Sequence, residues 1–167
     1  NPNDEEALKR VVNYPARGIG NTTMGKIQMA ATKAGVSLWE VICNPSFYNT
    51  SIATATTSKL GAFRSLVTCF KDKAEGEDAF TLTRSLLAES GMMKDIYEGK
   101  DAEDVARQEN IDEFLNSIMM FVDTRREEQD SPSVSVADFL QEVALLTDLE
   151  SDDGEQSKVS LMTVHAA

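Results

Sequence analysis

The chain has 167 residues, 41% of them hydrophobic and 26% charged, which is typical of one ordinary globular domain with a buried core. No segment approaches the roughly 20 apolar residues of a membrane span, and residues 1–4 (Asn-Pro-Asn-Asp) carry no secretory signal. We therefore expect a cytoplasmic location, no membrane partner, and reduced, mostly buried thiols at Cys43 and Cys69. A single histidine, His165, leaves too few ligands or bases for a metal site or a histidine-based catalytic site, so we expect neither.

The net charge of −12 is unevenly distributed along the chain. Residues 1–73 carry nine Lys or Arg against five Asp or Glu, whereas residues 74–167 carry seven against twenty-three. An acidic domain with one basic half can still bind DNA through that half, because phosphate contacts act within a Debye length of roughly 10 Å. Charge alone favours the other interpretation, an uneven solvated surface.

The apolar residues recur at helical spacing nearly throughout, which predicts an all-α, compact, multi-helix domain. In chain order, helices are expected from Asp4 to near Tyr14, from Thr22 or Thr23 to Gly35, and from Ser37 to just before Pro45. After a polar stretch from Asn49 to Ser58, further helices are expected over about 60–70, 80–90, 102–128 and 135–149. The helical stripes and the methionines are interpreted as core.

The C-terminal part has a different pattern. Residues 148–156 are rich in Asp and Glu, which predicts a solvated linker. Residues 158–164 (Lys-Val-Ser-Leu-Met-Thr-Val) alternate and contain β-branched residues, which predicts a short strand. Because a lone strand has no partner in a helical domain, we expect a helical domain over 1–157 and, over 158–167, the start of a sheet-containing region.

The most informative short segment, residues 15–23 (Pro-Ala-Arg-Gly-Ile-Gly-Asn-Thr-Thr), lies between two predicted helices. Glycines allow close backbone approach to a phosphate, and the N–H groups and dipole of a helix N-terminus favour an anion. Arg17 would add a charged fork, and Ile19 would anchor the hairpin in the core. This is the layout of a helix–hairpin–helix element that holds duplex DNA by its backbone. A tight interhelical turn without DNA contact is the alternative.

No nucleotide site is predicted in this chain. A Rossmann fingerprint would need a preceding strand and a third glycine. The phosphate-binding pattern G-x-x-x-x-G-K-[ST] does not occur.

Several segments together resemble domain 2B of UvrD-, PcrA- and Rep-type superfamily 1 DNA helicases. The family pattern is a helix followed by Asn-Thr-Pro-x-Arg-Gly-Ile-Gly-x-x-Thr, which the segment from Asn13 to Thr23 resembles, with Tyr14 in place of the usual Thr. Further similarity is found at residues 37–40 (Ser-Leu-Trp-Glu), at Arg107, Asn110, Ile111 and Glu113, at 139–140 with 144–145, and at 159–167, which resembles the strand leading into helicase motif V.

The resemblance implies an accessory domain inserted in the second motor domain of an ATP-dependent 3′→5′ DNA helicase that acts in DNA repair or replication. It implies contact with the duplex backbone, independent of sequence, by Arg17, Gly18, Ile19, Gly20 and Thr23. Thr163 and His165 would belong to motif V and function only in the complete motor. ATP and Mg²⁺ would be cofactors of the parent enzyme, with none bound by this fragment. The motor domains of the same chain, and repair or replication proteins, would be its protein partners.

Two other hypotheses are weighed against a DNA-contacting domain. The chain could be a protein-interaction or autoinhibitory module whose acidic half, from Ala74 onward, docks on the motor or on a basic partner without DNA contact. It could also be a stand-alone helical enzyme, but no base or metal constellation supports this, and Asp101, Glu103 and Asp104 have the pattern of a solvated helix start.

Overall fold

The computed structural model describes residues 4–129 and 134–151, and all regular structure within these ranges is α-helical. The helices are α1 (Glu5–Val11), α2 (Asn21–Ala34), α3 (Leu38–Cys43), α4 (Thr54–Lys73), α5 (Ala79–Glu89), α6 (Met92–Glu98), α7 (Ala102–Gln129) and α8 (Val136–Ser151). The predicted all-α class is confirmed. The predicted strand over 158–164 lies outside the described residues. None of the helices in the described ranges is long and apolar enough to cross a membrane.

Several helix ends follow from local hydrogen bonds that the sequence predicts. The side chains of Asp4 and Ser37 accept hydrogen bonds from the backbone N–H groups of Ala7 and Glu40, at 2.9 and 3.2 Å, and so cap α1 and α3. Gly35 ends α2 with φ of +67°, a left-handed conformation that glycine adopts without a Cβ penalty. These three boundaries agree with the sequence-based expectation.

Other boundaries differ from the prediction. α2 begins at Asn21 with Gly20 as its N-cap, ahead of the predicted Thr22 or Thr23. α4 begins at Thr54, inside the stretch predicted to be a polar connection, and α8 continues to Ser151 into the predicted linker. α6 was not predicted: Ser90 is the C-cap of α5, Gly91 directly after it is the N-cap of α6, and Ile96 is the only buried residue of this short helix.

The core of the described residues has two clusters. The first joins α1 to α4 and the α1–α2 hairpin, and its buried residues are Val12, Ile19, Ile27, Ala31, Leu38, Val41, Ile42, Leu60 and Phe63. The second joins α5 and α7 to the segment before α8, and contains Ala79, Ile118, Val122 and Val134. α4 packs against α5 and links the two halves. The change from basic to acidic composition after residue 73 therefore falls at the end of α4, where the two structural halves meet.

Part of the predicted core is exposed. Val11, Phe114 and Leu140 are exposed although they belong to predicted apolar stripes. Cys43 and Cys69 are free thiols, as expected, but Cys69, on α4, is exposed and not buried. Burial raises the pKa of the half-buried Cys43, with Arg64 opposing the shift and Glu40 adding to it. Met29, Met119 and Met120 are exposed, so the interpretation of the methionines as core is wrong for these three.

Asp78 connects the start of α5 to α7. Its carboxylate accepts hydrogen bonds from the backbone N–H and the hydroxyl of Thr81, at 2.9 and 3.0 Å, and pairs with Arg126 at 3.2 Å. Burial, the largest single influence, would raise the pKa of Asp78. The hydrogen bonds from Thr81 and Phe80 and the charge of Arg126 together outweigh it and hold the pKa below its ordinary value.

This lowered pKa gives a pH prediction. The stabilisation by Asp78 is fully present above the unfolded pKa of about 3.9 and is lost as the pH falls through the lower folded pKa. Asp78→Ala should lower the free energy of unfolding by about 1 kcal/mol at neutral pH, and the difference from the unmodified chain should shrink in acid. Urea unfolding across this pH range measures it. Asp123→Ala, at an exposed site of α7, is the control; an equal pH dependence in both variants would contradict the assignment.

Candidate nucleic-acid interface

The predicted hairpin is present between α1 and α2 and is anchored through Ile19. The side chain of Ile19 is 1% exposed and packs in the first cluster with Val12 and Ile27. Gly18, directly before it, has φ of +70°, in the left-handed region that favours glycine. Gly20, directly after it, is extended. The buried isoleucine thus fixes the flanking glycines at the surface.

The exposed side chain of Asn13 holds the backbone of the hairpin in shape. Its side-chain oxygen accepts hydrogen bonds from the backbone N–H groups of Arg17 at 3.0 Å and Ile19 at 2.9 Å. These two N–H groups are therefore already engaged. Asn13 belongs to the segment that resembles the helicase family, but no structural role was predicted for it, although a short polar side chain close to a proline is typical of a turn that bonds its own backbone.

The N-terminus of α2 presents unpaired backbone donors. The N–H groups of Thr23 and Met24 donate to the carbonyl of Gly20, at 3.0 and 3.1 Å, and Gly20 has no side chain to cap the helix. Among the described residues, the N–H groups of Gly20, Asn21 and Thr22 meet no acceptor. Space is open around Gly20: apart from Gly20 itself and its two chain neighbours, none of the described residues has an atom within 4 Å of the position where a Cβ would stand. Free donors at the positive end of a helix dipole favour an anion.

The guanidinium of Arg17 is not free to bind phosphate at this open face, because backbone carbonyls already accept its hydrogen bonds. Nη1 donates to the carbonyls of Val11 at 3.0 Å and Tyr14 at 2.6 Å, and Nη2 donates to the carbonyl of Ser90 at 3.3 Å. The guanidinium carbon also lies 5.5 Å from the centre of the Phe63 ring. Burial of the group lowers the pKa of Arg17. Because Ser90 lies in the α5–α6 turn, Arg17 ties the hairpin to the second half of the domain.

Lys59, on α4, is the cation beside the hairpin glycines. A Cβ built on Gly18 would lie 2.5 Å from the Nζ atom of Lys59, so the ammonium group sits against Gly18. Lys59 is exposed, and within the described part of the chain no carboxylate lies at salt-bridge distance from it. No sequence pattern links Lys59 to the hairpin, so its position beside Gly18 was not predicted.

Only some of the predicted site residues lie together in the structure. Gly18, Gly20 and Thr23 lie together at the hairpin and the first turn of α2, with Thr23 half-buried, whereas the side chain of Ile19 faces the core. Thr163 and His165 lie outside the described residues. Over residues 4–129 and 134–151, no group of three His, Cys, Asp or Glu side chains could hold a metal ion.

Comparison with known proteins identifies the class. The family model of the UvrD-like helicase C-terminal domain matches residues 1–167, and the chain belongs to this family. Over the whole chain, it is 33% identical to the ATP-dependent DNA helicase PcrA of Leuconostoc citreum and 31% identical to PcrA of Bacillus subtilis (strain 168). PcrA of Staphylococcus aureus (strain NCTC 8325) is 29% identical, also over the whole chain. The chain spans 22% of the length of each of these relatives.

Proposed function

We propose that this chain is the helical accessory domain, domain 2B, of an ATP-dependent 3′→5′ DNA helicase, and that it holds the duplex ahead of the fork by its phosphate backbone. The observation that carries the DNA contact is the set of N–H groups at Gly20, Asn21 and Thr22, beside the ammonium of Lys59, none of which has a partner among the described residues. Backbone donors and a lysine recognise phosphate without reading bases. Residues 1–73, which include the hairpin and Lys59, are net basic. This charge supports the hairpin side of the domain as the side that faces DNA.

In the parent enzyme, the motor domains would supply ATP hydrolysis. ATP and Mg²⁺ would bind to the motor domains, and residues 158–167 would return the chain to the second motor domain, where Thr163 and His165 would function in motif V. The role of this domain's own residues is to bind and orient the duplex.

Within this proposal Lys59 is the hairpin's phosphate contact and Arg17 is a positioning residue. Lys59→Ala should weaken duplex binding for all sequences alike, and should reduce the slope of log affinity against log salt by about one. Lys59→Arg, which keeps the charge, should restore most of the affinity. Titration of the chain into a fluorescent duplex at low and moderate salt measures both quantities.

Lys100→Ala is the matched control, because Lys100 is an exposed lysine in the acidic half. It should leave affinity and salt slope unchanged. Gly18→Glu puts a negative charge beside Lys59 and a side chain on a left-handed backbone position, so it should abolish binding both by repelling phosphate and by deforming the hairpin. Duplex binding that survives both Gly18→Glu and Lys59→Ala would contradict the role of the hairpin, as would a folded chain that fails to bind at low salt.

The alternative function, a protein-interaction or autoinhibitory module, is favoured by one observation. Residues 74–167 carry seven basic against twenty-three acidic residues, a balance that suits a basic partner surface. That function predicts no duplex affinity and no effect of Lys59→Ala, so the same titration separates it from DNA binding.

A further inference from the structure

A groove separate from the hairpin lies between α2 and the loop that follows α3. It has a volume of about 520 Å³, and its walls include Lys26, Met29 and Lys33 of α2 and Phe47 and Tyr48 of the loop. Lys26, Met29 and Lys33 lie three and four positions apart, so one side of α2 forms one wall.

Two large apolar side chains of this groove are left in solvent. Phe47 is 78% exposed and Met29 is 75% exposed, the highest values among the large hydrophobic residues that the structure describes. Their location in one groove forms an apolar surface that the domain's own core does not use. Aromatic and methionine side chains are enriched at protein–protein interfaces, and such patches mark interaction sites.

The loop that presents Phe47 is held in a defined shape. Asn49 and Ser51 have φ of +48° and +51°, which is uncommon for residues other than glycine. Between them, Thr50 is buried and its hydroxyl donates to the carbonyl of Pro45 at 3.1 Å. The ammonium of Lys26 donates to the carbonyl of Ser51 at 2.7 Å and ties the loop to α2. A preformed loop lowers the entropy cost of binding a partner.

The charge of the groove indicates the kind of partner. Lys26 and Lys33 are both exposed, and the residues that line the groove include no carboxylate. Between residues 7 and 73 the chain has only two acidic residues, Glu40 and Asp72. Positive charge around an apolar centre complements a negatively charged segment with an apolar side chain.

We propose that this groove binds an acidic peptide segment of a partner protein, with an aromatic or aliphatic side chain packed against Phe47 and Met29 and its carboxylates near Lys26 and Lys33. The rings of Phe47 and Tyr48 stand edge to face, with an interplanar angle of 86°, so they do not form parallel platforms for successive nucleotide bases. This binding is separate from the proposed duplex contact and does not depend on it.

The test is fluorescence anisotropy with the 167-residue chain and a labelled, synthetic acidic peptide that carries one phenylalanine and one leucine. Phe47→Ala and Lys33→Ala should each weaken the peptide affinity by about tenfold. A peptide with amides in place of its carboxylates should bind more weakly still, because it loses its attraction to Lys26 as well as to Lys33. Because Phe47 and Lys33 are both exposed, circular dichroism should show that the two variants fold like the unmodified chain.

The matched controls are Met120→Ala and Lys100→Ala, at an exposed methionine and an exposed lysine of the other half; neither should change peptide binding. Lys59→Ala should also leave it unchanged, which keeps failure of this inference distinguishable from failure of the duplex contact. Unchanged peptide affinity in Phe47→Ala would overturn the proposal. So would binding of oligothymidylate but not of the peptide, or self-association of the chain that Phe47→Ala abolishes while the peptide does not bind.

Discussion

Ile19→Ala should lower the free energy of unfolding by about 2–5 kcal/mol, the range for truncation of a fully buried large aliphatic side chain. Ile19 is 1% exposed and belongs to the first core cluster, although it lies in a hairpin between two helices. Truncation removes apolar burial and leaves a cavity between α1 and α2. Since domains of this size are stable by about 5–15 kcal/mol in total, this one change should remove a large fraction of the stability. Urea denaturation followed by circular dichroism measures the loss.

Two matched variants test whether the loss of stability in Ile19→Ala comes from the burial of Ile19. Val11→Ala, in the adjacent helix, truncates an aliphatic side chain that is 49% exposed, and should change the free energy of unfolding by less than about 0.5 kcal/mol. Ile19→Val should lie between, at about 0.5–1.5 kcal/mol. If Ile19→Ala were as mild as Val11→Ala, the hairpin would not be anchored by its isoleucine, and the fixed positions of Gly18 and Gly20 would lose their explanation.

The helical class could be predicted from the sequence because several elements carry local signals. Asp4, Ser37 and Gly35 determine helix ends through bonds and backbone angles within a few residues. The start of α4 carries no such signal. Thr57 and Ser58 donate their hydroxyls to the carbonyls four residues earlier, at 3.3 and 3.2 Å. Their polarity is therefore satisfied inside a helix as well as in a loop, and sequence does not distinguish the two.

The hairpin could be located from sequence, but the contacts of the cations beside it could not. The Gly-Ile-Gly segment and the following helix start are local features, and the burial of Ile19 follows from its apolar character. The position of Lys59 against Gly18 depends on how α4 packs across the hairpin. The bond from Arg17 to Ser90 depends on the docking of the α5–α6 turn. Contacts between residues so distant in sequence leave no trace in spacing or composition.

Arg17→Ala should lower the free energy of unfolding by about 1.5–3 kcal/mol, the range for hydrogen bonds to a charged group. The variant leaves the carbonyls of Val11, Tyr14 and Ser90 without their guanidinium donor and removes the contact with the Phe63 ring. Arg17→Lys should recover little of this, because one ammonium group cannot reproduce a planar fork that serves several acceptors. Arg10→Ala, at an exposed arginine of α1, is the control and should be nearly neutral.

Arg17→Ala also tests whether Arg17 is a positioning residue or a phosphate contact. With its guanidinium occupied by carbonyls, Arg17 should affect DNA only through the shape of the hairpin. Arg17→Ala, measured below its unfolding temperature, should then weaken duplex binding while the slope of log affinity against log salt stays as it was. Loss of a direct phosphate contact would instead reduce that slope by about one. A reduced slope with unchanged stability would return Arg17 to the role of a phosphate contact and would mean that its carbonyl bonds are exchanged for phosphate when DNA binds.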